Sequence, residues 1–208
     1  MKIAVVLFPR LTALDAIGPY EVLQCLPDTE VVFVGHRRGE VRTEKGNLGL
    51  TVDATFSSLT DPDVVVVPGG RGARLLLDDE ALLDWLRQAH RTSLFTTSVC
   101  TGSLLLAAAG LLDGLTATTH WSRTDLLAEL GAVPTPRRVV EHLDRRLITA
   151  AGVSSGIDMA LRLAALLTDD LTAQAAQLLV EYDPQPPFAT GSLAAAGPEV
   201  LARARALT

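Results

Sequence analysis

Cysteine is scarce in this 208-residue chain. The two that occur, Cys25 and Cys100, stand far apart and fit neither a disulfide framework nor the paired spacing of metal ligands, which suits a reducing compartment. Long apolar runs are missing as well. The most apolar stretch, Ser103 to Leu112, is well short of the ~20 residues that span a bilayer. Met1 to Phe8 is too short for a signal-peptide core and lacks a cleavage site. These absences predict a soluble cytoplasmic protein without membrane association. No cluster of Lys and Arg forms a phosphate-tracking stripe and the formal net charge is −6, so nucleic acid is not an expected partner. HExxH, EF-hand, Walker and GxGxxG patterns are absent from suitable places, which implies neither a metal nor a nucleotide.

What is present reads as one globular domain. Hydrophobic residues make up 48% of the chain and charged residues 20%, ordinary globular usage, and Gly and Pro are spread along the chain, which excludes disorder, collagen and coiled coil. Ile3 to Phe8, Val31 to Val34, Val64 to Val67 and Leu94 to Val99 are short, strand-like runs, most of them continuously apolar, as strands covered on both faces are. Between them, Pro19 to Leu26 and Glu80 to Ala89 place apolar residues at helical spacing. The alternation predicts an α/β fold: a flavodoxin-like open parallel sheet with helices on both faces. Small hairpins are expected around Gly46-Asn47 and Asp144-Arg145, and further helices over 101–109, 123–130, 154–167 and 171–181. The expected domain spans 1–208, with a Pro-rich tail from Tyr182 that packs on the domain or on a partner subunit.

In open α/β sheets ligands bind beyond the carboxyl ends of the strands. The segment Ser98-Val99-Cys100-Thr101-Gly102 follows one such strand and has small residues two positions before and after Cys100. A nucleophile elbow requires that spacing, because its backbone is strained and crowded. The first turn of the next helix aims N–H groups at the sulfur, which favours thiolate. Cys25, at the end of an apolar helical face, reads as structural. Asp15 has two readings. It is an N-cap of a helix opened by Pro19, or a carboxyl facing Cys100 that donates a hydrogen bond to the thiolate and then a proton. Gly69-Gly70 is a tight turn, or its Gly70 N–H joins the Thr101 N–H in an anion hole. His120, after a strand over 116–119, is a catalytic base or a structural histidine. Glu21 does not share a helical face with Asp15, and His36, His90 and His142 sit in polar surroundings without an assigned role.

Asp15 with Gly18-Pro19-Tyr20-Glu21-Val22-Leu23, the Pro68-Gly69-Gly70 turn, the Cys100 elbow and Thr118-Thr119-His120 together resemble the ThiJ/PfpI superfamily, which has a glutamine-amidotransferase-like flavodoxin fold. Within it, Cys100 followed by Thr101, the Asp at 15 and the tail Pro186-Pro187-Phe188 with Ala196-Gly197-Pro198-Glu199 are most similar to the isonitrile hydratase branch. That resemblance implies hydration of a small-molecule isonitrile to an N-substituted formamide, without a cofactor, by a homodimer. Cys100 and Asp15 would be catalytic, with Gly70, Thr101 and His120 around the substrate. Thr101 stands where protease-like members have His, and Asp15 where glyoxalase- or deglycase-like members usually have Glu. The alternatives are methylglyoxal chemistry and a non-enzymatic cysteine redox sensor. Similar sequences also form the sensory half of regulators with a C-terminal DNA-binding module, for which a chain ending at Thr208 leaves no room.

Overall fold

The computed structural model describes residues 1–207, so Thr208, the last residue of the expected domain, lies outside the described residues. Its centre is a seven-stranded sheet. Strand β1 (Lys2–Val6) is followed by helix α1 (Ala13–Leu23) and strand β2 (Glu30–Gly35). A hairpin of β3 (Gly39–Arg42) and β4 (Gly49–Val52) comes next, then the two-residue edge strand β5 (Ala54–Thr55) and the core strand β6 (Val64–Val67). Helix α2 (Glu80–Thr92) leads to β7 (Phe95–Val99), which turns into α3 (Gly102–Ala108). A short parallel pair, β8 (Thr116–Ala117) with β9 (Val133–Pro134), brackets α4 (Thr124–Glu129). The antiparallel pair β10 (Val139–His142) and β11 (Leu147–Ala150) precedes α5 (Ser155–Leu167), α6 (Asp170–Leu179) and α7 (Pro198–Ala206).

The strand order is β10-β11-β7-β6-β1-β2-β5, parallel except for β10. Chain direction across the sheet reverses at β1, with β2 on one side and β6 on the other. That reversal opens a crevice at the carboxyl ends of β1, β6 and β7. The β1 and β6 runs, Ile3–Val6 and Val64–Val67, are fully buried, which is why neither alternates polar and apolar residues. Helix α2 shows the alternative pattern: Asp79 caps it by accepting the Leu82 N–H at 3.0 Å, and Leu82, Leu83, Trp85, Leu86 and Ala89 form its buried stripe.

Two expectations change in the structure. The helix expected to open at Pro19 opens at Ala13, with Thr12 at its N-cap and Pro19 inside it. Proline has no N–H to give the Asp15 carbonyl, a loss of roughly 3 kcal/mol in an isolated helix. Packing of α1 against α5, where Gly18 sits close to Ile157, holds the helix through that gap. The strand expected over 116–119 shortens to β8 and pairs with β9 outside the main sheet. The tail meets its own domain at two places, where Tyr182 donates to Asp158 at 2.7 Å and where Leu207 lines the cleft that holds Cys100, while Phe188 between them is 77% exposed.

Candidate active site

Cys100 follows β7 with φ of +58°, the left-handed conformation of an elbow. Both of its own backbone groups are engaged. The Cys100 N–H is shared between the carbonyls of Ala150 and Ala151 at 3.0 and 2.9 Å, while its carbonyl accepts from Thr119 Oγ1 at 3.0 Å and Ser103 Oγ at 3.2 Å. These bonds hold a conformation that costs about 1–3 kcal/mol. The crowding anticipated two positions after Cys100 is real, since a Cβ on Gly102 would run into the Val67 carbonyl.

Asp15 comes from the first turn of α1 and is completely buried. Its Oδ2 accepts the Gly69 N–H at 2.9 Å. Oδ1 is buried with no nitrogen or oxygen partner among the described residues, and the side-chain neighbour of the carboxyl is Cys100. Thus the N-cap reading of Asp15 fails: Thr12 is the cap and the carboxyl points at the loop after β6 and at the elbow.

Electrostatics follow from this burial. Desolvation raises the Asp15 carboxyl to about 7, against opposing pulls from the Gly69 N–H and the Cys100 thiol. Burial also pushes the Cys100 thiol up, and the neighbouring Asp15 charge pushes it further. The expectation of a thiol lowered by the helix N-terminus is therefore corrected. N–H groups of Val153 and Thr101 do pull it down, but desolvation and the carboxylate outweigh them. Above about pH 7 the two groups hold one proton between them, on oxygen or on sulfur.

The anion hole is also rearranged. The Gly70 N–H is committed to Thr101 Oγ1 at 2.9 Å, and that hydroxyl donates back to the Gly70 carbonyl at 3.2 Å. Around the sulfur the second N–H belongs to Val153, not Gly70. Val153 has φ of +40°, an outlier for a β-branched residue, and it lies in the turn before α5. His120 accepts from Ser122 through Nδ1, with the Ser122 Oγ at 2.8 Å, and its ring lies against Gly152. Desolvation, then the Arg123 charge, lower its pKa, so the ring is neutral.

Cys100, Thr101, Gly70 and His120 line one cleft of about 500 Å³. Asp15 lies beneath its floor, and Cys25 is elsewhere, its thiol donating to the Glu21 carbonyl at 3.3 Å. The sequence reading missed Val153 and the charged walls: Glu44 and Lys45 from the β3–β4 hairpin, Arg71 and Arg74 after β6, and Arg123 before α4. Nothing in their spacing announces them, because each reaches the cleft from a different loop. Glu44 is fixed in place by the Arg71 N–H at 2.6 Å from its Oε1.

Comparison with known proteins gives a consistent picture. The profile described as the DJ-1/PfpI family matches residues 1–166. An isonitrile hydratase of Pseudomonas putida is 46% identical over 205 residues, covering 99% of this chain and 89% of that protein. The HTH-type transcriptional regulator CdhR of Pseudomonas aeruginosa is 36% identical over 150 residues, which are 71% of this chain and 41% of the regulator. Among solved structures, a ThiJ/PfpI family protein from Pseudomonas syringae superposes with a TM-score of 0.93 at 38% identity, over 99% of this chain and 85% of that one. Among the described residues no helix is long and apolar enough to cross a membrane.

Proposed function

The chain belongs to the DJ-1/PfpI family, and from that premise we propose that it is an isonitrile hydratase, adding water to R–N≡C to give R–NH–CHO. The observation that carries the reading is a buried carboxyl beside a buried thiol at the floor of a cleft, the carboxyl raised to about 7 by its burial. It is supported by the 46% identity to the Pseudomonas putida enzyme over nearly the whole of both chains.

In this reading Cys100 attacks the terminal isonitrile carbon as thiolate, and the shared proton passes from Asp15 to that carbon. The product is a thioimidate, R–N=CH–S–Cys100, beside an ionised Asp15. Water then adds to the same carbon: Asp15 takes one of its protons and passes it to nitrogen, leaving R–NH–CH(OH)–S–Cys100. When the C–S bond breaks, the electron pair returns to sulfur, the hydroxyl proton returns to Asp15 and the formamide leaves. One group acts as acid and then as base, which an intermediate pKa of about 7 suits. The Thr101 and Val153 N–H groups steady the sulfur. Thr101 acts also through its hydroxyl, which ties the Gly70 loop to the elbow. His120 is a neutral wall of the substrate pocket. The reaction as written needs no cofactor or metal, and we propose a cytoplasmic homodimer acting on a small molecule.

The test supplies cyclohexyl isocyanide and methylglyoxal to separate samples and follows formamide and D-lactate. Formamide is the expected product. D-lactate alone would replace this reading with dicarbonyl chemistry, and turnover of neither would replace it with a cysteine redox sensor.

A further inference from the structure

The walls of the cleft carry a charge opposite to that of the whole protein. The chain has a formal net charge of −6, yet among the described residues the cleft is lined by Lys45, Arg74 and Arg123, together with Arg71 and Leu207, and Glu44 is the one acidic side chain. Glu44 is already engaged by the Arg71 backbone N–H. Among the described residues no acidic side chain forms an ion pair with Lys45, Arg74 or Arg123. Some arginines outside the cleft do have carboxylate partners, as Arg87 has Asp84, Arg162 has Glu141 and Arg138 has Asp158. Arg123 donates to the Ser122 carbonyl at 2.6 Å, which fixes its guanidinium beside His120's partner.

We propose that the isonitrile taken by this site carries an anionic group, a carboxylate or its equivalent, held at the cleft wall by Arg74 and Arg123 while the isonitrile carbon meets Cys100. This inference rests on the hydratase reading above. Like charges gathered in a concave, partly desolvated cleft repel one another and concentrate counter-ions, so an anionic substrate is both drawn in and held there. Consistent with that crowding, burial and the neighbouring Arg123 and Arg71 charges weaken Arg74's hold on its proton, with Glu44 opposing them. A neutral substrate would leave Arg74 and Arg123 without a counter-charge in the occupied cleft, and a cationic one would be repelled.

The experiment compares isocyanoacetate with its methyl ester, and 4-isocyanobenzoate with its methyl ester, on the full chain. Each pair is assayed with wild type and with the Arg74→Gln/Arg123→Gln variant, whose melting temperature is measured alongside. The acid-to-ester ratio of kcat/KM in the variant calibrates the intrinsic reactivity of the two compounds. Loss of charge-assisted hydrogen bonds to the carboxylate should lower that ratio by about tenfold or more relative to wild type, mainly through KM. A ratio unchanged within threefold, with both compounds hydrated, overturns this inference and leaves the hydratase reading standing. Hydration of none of the four compounds, nor of cyclohexyl isocyanide, by wild type overturns the hydratase reading, and this inference with it.

Discussion

The Gly69 N–H donates to Oδ2 of Asp15 at 2.9 Å, joining the loop after β6 to the first turn of α1. A Cβ at position 69 would run into the Thr101 backbone nitrogen and lie 3.0 Å from Asp15 Oδ2. Gly69→Ala therefore forces apart the loop, the elbow and the carboxyl. Overpacking of this kind costs about 1–3 kcal/mol, which in a chain of this size lowers Tm by roughly 2–12 °C. Calorimetry should find that loss together with reduced kcat. An unchanged Tm would show that the contact is looser than the geometry describes.

The two cysteines should differ in reactivity. Cys100 lines the cleft beside the Asp15 carboxyl, whereas Cys25 donates to the Glu21 carbonyl beside α1. Brief iodoacetamide treatment followed by peptide mass analysis should label Cys100 first, at a rate that climbs as pH passes through about 7. Preferential labelling of Cys25 would contradict the assignment of the nucleophile.

Much of the fold was legible because its signals are local. Continuous apolar runs at Ile3–Phe8 and Val64–Val67 read as strands covered on both faces, and Gly102 marks the elbow because even a Cβ does not fit there. Pro19 misled because proline favours the first turn of a helix. Here tertiary packing of α1 on α5 keeps it inside the helix and so brings Asp15 to the floor of the cleft. Sign and size of the thiol's shift were not legible either. The helix N-terminus next to Cys100 is visible in sequence, but the burial of Asp15 beside it is a product of the packed sheet. Val153, Glu44, Arg74 and Arg123 converge on the cleft from separate loops, and loop trajectories leave no periodicity to read.

A homodimer would cover what the single chain leaves bare. Leu171, Leu178 and Leu179 on α6 are 73–76% exposed, and Phe188 of the tail is 77% exposed. Helix α6 uses Ala173 and Ala176 for its own core contacts, so these larger side chains face away from it. Sedimentation at micromolar concentration should show a species of twice the 22.1 kDa chain mass. A species at the chain mass itself would remove the dimer.

Replacing Asp15 by Asn separates chemistry from stability in one variant. Asn keeps the shape and an acceptor for the Gly69 N–H but has no proton to transfer, so kcat for isonitrile hydration should fall at least ~100-fold, the lower range for losing general acid–base catalysis. Stability should move the other way. Because the folded carboxyl sits at about 7 and its ordinary value is 3.8, the folded state holds a proton that the unfolded state has lost between those values. Wild-type stability from this group is complete below pH 3.8 and declines as pH rises to about 7. The whole decline is of order 4 kcal/mol, from about three units at ~1.36 kcal/mol each. Asp15→Asn has no such titration, so its Tm should gain on that of wild type as pH goes from 4 to 8. Wild-type kcat/KM should rise through about pH 7, as the pair drops to one proton, and stay level to pH 9, since the thiol's own pKa is raised. A variant with near-normal turnover would leave Asp15 a structural residue. One whose Tm follows wild type at every pH would show that the carboxyl is not buried as described.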